Sequence, residues 1–83
     1  MGIFEMILDK FDVRKFNKIC NEKDCGHIPV KKVEIYQYEM KKGKKVLATL
    51  HVCDLHFRDA VKIVESIKVE NPKVIIDKDV NEL

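Results

Sequence analysis

Four residues able to hold a soft metal fall into two close pairs. Cys20 and Cys25 form a C-x4-C pair, Cys53 and His56 form a C-x2-H pair, and a long segment separates them. This spacing constrains the fold more than any other feature. The chain has 83 residues, and a domain that short buries too little apolar surface to be secure on its core alone. A structural metal meets that need, because forming the site in small zinc fingers contributes about 10–16 kcal/mol. Zinc takes four Cys or His donors in a tetrahedron. The two pairs supply four donors if the segment between them folds back on itself.

That segment has the pattern of a hairpin. V-K-K-V-E-I-Y-Q-Y-E-M and V-L-A-T-L-H-V-C are two β-rich runs around the polar turn K-K-G-K-K. Along the first strand Glu34, Tyr36, Tyr38 and Met40 share a face, opposite Val33 and Ile35. Before the hairpin, C-N-E-K-D-C-G-H-I-P carries the Asn, Asp, Gly and Pro of irregular chain. After it, Asp54 is a good N-cap for a helix with no breaker until Asn71-Pro72. Phe57, Ala60, Val61, Val64 and Ile67 form its apolar face. Cys53 and His56, three apart at the helix start, then lie on one side, where the positive end of the helix dipole favours thiolates.

Outside this unit, Ile3, Phe4, Ile7, Leu8 and Phe11 make a helical stripe, with a strand as the rival reading of the same run. Asp12 can cap a short following turn. K-V-I-I-D, after Pro72, reads as a short C-terminal strand. The expected fold is a small zinc-stabilised α+β domain, a single unit over residues 1–83 with its zinc core at about 20–67.

Two ligands on a turn, a β-hairpin, then two ligands at a helix N-terminus is the order of a treble-clef zinc finger. C-N-E-K-D-C-G resembles the zinc knuckle of that family, and H-V-C-D-L-H-F resembles its helix-start pair. The resemblance implies a structural zinc held by Cys20, Cys25, Cys53 and His56, in a domain of treble-clef or zinc-ribbon type. The usual knuckle has two residues between its cysteines and this one has four. The family is functionally broad, so the likeness implies no activity.

His51 and His27 stand beside these pairs. Each reads as a surface histidine or a neighbour of the ligands, with ligand exchange as the alternative. Ordinary burial of the cysteines fits poorly with the polar surroundings of Cys20 and Cys25. The odd count of 3 cysteines argues against a closed disulfide framework and favours reduced thiols in the cytosol. No secretory leader or myristoylation pattern is read at the N-terminus, and no run is apolar enough for a membrane span.

Four protein ligands predict a closed site, so no enzyme and no small-molecule substrate is expected. No phosphate-binding glycine loop is present in the sequence. The formal net charge of +2 excludes a polycation, but Lys41, Lys42, Lys44 and Lys45 cluster at the hairpin tip above Tyr36 and Tyr38. Such a tip can contact phosphates, and such tyrosines can stack on bases. Two functions are therefore expected: nucleic-acid binding, to DNA or RNA, through the lysine tip; or a protein-interaction module, including a homodimer, with purely architectural zinc.

Overall fold

A computed structural model describes residues 2–83. The order of elements is α1 (Ile3–Lys10), a 3-10 turn (Val13–Lys15), β1 (Lys31–Glu39), β2 (Gly43–Val52), α2 (Asp54–Glu70) and β3 (Ile75–Glu82). The three strands form one antiparallel sheet in the order β2-β1-β3. This is the expected α+β domain, with an N-terminal helix, a hairpin leading into a helix, and a closing strand.

Alternation along the hairpin decides which face is covered. Val33 and Ile35 of β1, and Leu50 and Val52 of β2, are fully buried. Ala60, Val64 and Ile67 of α2 meet them at helical spacing, and Ile76 of β3 joins the same cluster. The opposite face is polar, with Lys32 paired to Glu34 and Lys44 paired to Asp79. Lys44 also lies over the Tyr36 ring, 4.5 Å from its centroid.

Four local expectations shift. The tip is tighter than K-K-G-K-K: Glu39 pairs with Gly43, so only residues 40–42 form the loop, and Lys44 and Lys45 belong to β2. Gly43 has φ +75°, the left-handed position that closes a three-residue hairpin loop with a bulge. A second irregularity lies between Ile35, which faces Ala48, and Tyr36, which faces Val46; Leu47 is the extra residue. At α2 the N-cap is Cys53, with Asp54 as the first helical residue. The closing strand starts two residues inside K-V-I-I-D and runs on through the acidic tail to Glu82, because β1 offers its whole second edge as far as Lys31.

The stripe on α1 divides. Ile7 and the following Phe11 are buried in the core, while Phe4 and Leu8 are about half exposed. Those two, with Phe16 and Leu47, line a groove of about 350 Å³ along the outer side of β2. Asp12 caps the short turn as expected, accepting from the Arg14 N–H at 3.0 Å. No helix among the described residues is long and apolar enough to cross a membrane.

Candidate metal centre

The chain from Ile19 to Ile28 has no helix or ladder of its own, so its backbone groups need other partners. Cys20 N–H donates to the His27 carbonyl at 2.8 Å, closing the loop that carries both knuckle cysteines. Cys25 N–H donates to the Glu22 carbonyl at 3.2 Å, turning the chain between them. Residues on either side of Glu22 pair with the end of α1: Asp12 N–H reaches the Asn21 carbonyl at 2.6 Å, and Lys23 N–H reaches the Lys10 carbonyl at 3.1 Å.

Two side chains hold this loop in place. Lys15 turns inward and donates to the carbonyls of Glu22, Lys23 and Cys25 at 2.8, 3.0 and 3.2 Å, which uses all three ammonium protons. Asn21, 0 % exposed, is the only buried polar residue among the described residues. Its Nδ2 donates to the carbonyls of Phe16 and Ile19, and its Oδ1 accepts from the His51 N–H at 2.8 Å. Its own N–H donates to the His51 carbonyl, also at 2.8 Å. Asn21 thus pairs with the free edge of β2 two residues before Cys53. That contact carries the first ligand pair to the second.

The four predicted ligands come together. One donor atom from each of Cys20, Cys25, Cys53 and His56 lies within 4.8 Å of every other. Cys25 Sγ is 3.8 Å from Cys53 Sγ, while His56 Nδ1 is 3.7 Å from Cys20 Sγ and 3.4 Å from Cys53 Sγ. A tetrahedral zinc with ordinary bond lengths has S–S edges of about 3.8 Å and S–N edges of about 3.6 Å. Three of the six edges of the donor set therefore match a tetrahedral divalent ion, the others are no longer than 4.8 Å, and the donor chemistry suits such an ion. Comparison with protein-family models, with curated proteins and with solved structures finds no match to this chain. The ligand geometry is thus the main guide to function.

The surroundings favour ionised sulfur unevenly. Burial pushes the Cys20 thiol up to about 11, against the pull of the Cys53 and Glu22 backbone N–H groups. Burial also raises Cys53, but the His56 backbone N–H, the His56 ring and the two other sulfurs outweigh it and bring that thiol down to about 7. Cys53 is therefore ionised more readily than Cys20. A divalent ion on three thiolates leaves one net negative charge, and the Lys15 ammonium sits against the same loop.

The two remaining histidines differ. His27 is exposed, yet its Nδ1 lies 3.2 Å from Cys25 Sγ, so it touches a ligand from outside the cluster. His51 is not in the cluster. Its backbone serves Asn21, and its Nδ1 is buried without a hydrogen-bond partner. Burial, then the nearby Lys32, lowers its pKa.

Glu22 is a participant that spacing did not single out. Its Oε2 lies 3.7 Å from His56 Nε2, on the far side of the ring from the sulfurs. The same oxygen accepts the Asp24 N–H at 3.0 Å, which holds the carboxylate behind His56, and a carboxylate in that place steadies a metal-binding histidine ring. Glu22→Gln is expected to weaken metal binding by about 10- to 100-fold, read by competition against a chromophoric chelator. Unchanged affinity would remove Glu22 from the site.

Proposed function

We propose that the chain is a small structural-zinc protein in which Cys20, Cys25, Cys53 and His56 bind the ion. The supporting observation is that four soft donors lie within 4.8 Å of one another, with three of their separations matching the edges of a zinc tetrahedron. Zinc is favoured over other ions because three thiolates and one imidazole are a soft, tetrahedral donor set. The ligand pairs lie on a turn and at a helix start, joined by a hairpin. That is the treble-clef order, and it supports membership of that broad class. With four protein donors the ion has no open position, so its role is architectural and the protein is not an enzyme. Native mass spectrometry with metal analysis tests the reading: one zinc per chain is expected, and folded protein with free thiols and no metal would refute it.

A second element of the reading is nucleic-acid contact through the hairpin tip. Lys41, Lys42 and Lys45 are exposed and form no ion pair among the described residues. Tyr38, 45 % exposed, stands beside them as a stacking surface. Lys44 and Tyr36 are better explained as internal partners, since Lys44 is held by Asp79 and covers the Tyr36 ring. The triple substitution Lys41→Glu, Lys42→Glu, Lys45→Glu is expected to weaken DNA or RNA binding and flatten its salt dependence. The slope of log affinity against log salt falls by about 0.9 per lost phosphate contact on duplex DNA. Lys44→Gln leaves the slope unchanged. Equal binding by the triple variant would favour the alternative, a zinc-built module that contacts another protein.

A further inference from the structure

The zinc reading gives the three thiols one shared task, but their surroundings are not equivalent. Cys20 is 0 % exposed, whereas Cys25 and Cys53 are 6 % and 5 % exposed. Cys20 Sγ also accepts the Cys53 backbone N–H at 3.3 Å, which engages one of its lone pairs inside the core. Cys25 and Cys53 place their sulfurs 3.8 Å apart. Cys25 sits at the outer side of the cluster: the exposed His27 touches its sulfur, and nothing lies within 4 Å of a Cβ built on the next residue, Gly26. Cys53 is fixed at the start of a 17-residue helix. One sulfur is therefore on an irregular loop at the outer side of the cluster, and the other is at a helix start.

Resting on the zinc reading, we propose that Cys25 and Cys53 are a specific oxidative modification site, converted to a disulfide by a hydroperoxide with loss of the metal while Cys20 stays reduced. Cys25 thiolate attacks the peroxide oxygen. An S–O bond forms, the O–O bond breaks, and the departing oxyanion takes a proton from water, leaving Cys25 as a sulfenic acid. Cys53 thiolate then attacks that sulfur. The S–S bond forms, the S–O bond breaks, and hydroxide leaves and is protonated by solvent. Two thiolates have given two electrons to one peroxide. The sulfurs close from 3.8 Å to a bond of about 2.05 Å. Cys20 and His56 alone are half of a tetrahedral donor set, and the ion departs hydrated.

The test uses the whole zinc-loaded protein. Native mass spectrometry first establishes that the ion is bound. Hydrogen peroxide is then added at one equivalent steps, released zinc is read with a chromophoric chelator, and remaining thiols are alkylated before digestion and peptide mapping. The expected result is one zinc released for each pair of thiols lost. The chain should lose the mass of two hydrogens, a Cys25–Cys53 cross-linked peptide should appear, and Cys20 should carry the alkyl group. Reduction with dithiothreitol and fresh zinc should restore the complex. A disulfide containing Cys20, or Cys25 driven to sulfinic acid without a disulfide, would overturn the proposal. So would zinc retained at peroxide levels that oxidise a free cysteine peptide. Absence of zinc before any peroxide is added would instead refute the zinc reading itself, and the proposal with it, at a separate and earlier step.

Discussion

Stripping the proposed zinc with a strong chelator is expected to unfold the whole chain, not only the knuckle. A domain of this size draws rarely more than about 3–5 kcal/mol from its apolar core, whereas forming a structural zinc site contributes about 10–16 kcal/mol. The site also lies within the packing. Cys20, Cys25 and Cys53 belong to the same buried cluster as Val33, Leu50, Val64 and Ile67. Without a cation, three thiols face one another in the interior, and burial holds Cys20 protonated. The loop that pairs with β2 then keeps its hydrogen bonds, those of Asn21 and Lys15 among them, but loses the tie through the ion to Cys53 and His56. Far-ultraviolet circular dichroism should lose the α2 signal as the metal leaves, and stoichiometric zinc should restore it. A chain that keeps its helix and cooperative thermal transition without metal would show that the hydrophobic core suffices.

The metal-capable cluster was legible in the sequence because its signal is local. Two close pairs, one in a polar turn and one at a strand-to-helix junction, have few other uses. The α2 face was legible because burial repeats at helical spacing in Ala60, Val64 and Ile67. What could not be read depends on contacts between distant segments. Lys44 looks like any exposed tip lysine until Asp79, far along the chain, arrives beside it through β3. The residues after K-V-I-I-D are mostly polar, yet they continue the strand to Glu82 because β1 leaves an edge open. The extra residue at Leu47 breaks no visible alternation, since Val46, Leu47 and Ala48 are all apolar. Glu22 and Asn21 are turn-type residues in a turn-type stretch. Their roles appear only when His56 and His51 are brought against them.

Asn21→Ala is expected to cost about 2–4 kcal/mol in the metal-bound protein, since buried groups that lose their partners cost about 1–3 kcal/mol each. The substitution removes three side-chain hydrogen bonds at once. It leaves the His51 N–H without its acceptor and the Phe16 and Ile19 carbonyls without their donor. Phe16 has φ 48°, a positive value unusual for a bulky residue, and its carbonyl receives the shorter of the two Nδ2 bonds, at 2.7 Å. The Asn21 contact therefore helps to hold a strained turn. Asn21→Asp keeps an acceptor for His51 but turns a second oxygen toward those carbonyls and buries a charge near the thiolates. At neutral pH it should destabilise at least as much as alanine. Denaturant unfolding at fixed free zinc gives the loss. Hydrogen exchange then separates a local role from a general one. If Asn21 joins the knuckle to β2, the His51 amide should lose protection in the alanine variant before Leu50 or Val33 does. Equal loss across the sheet would make Asn21 an ordinary core residue and leave the approach of the two ligand pairs to the metal alone.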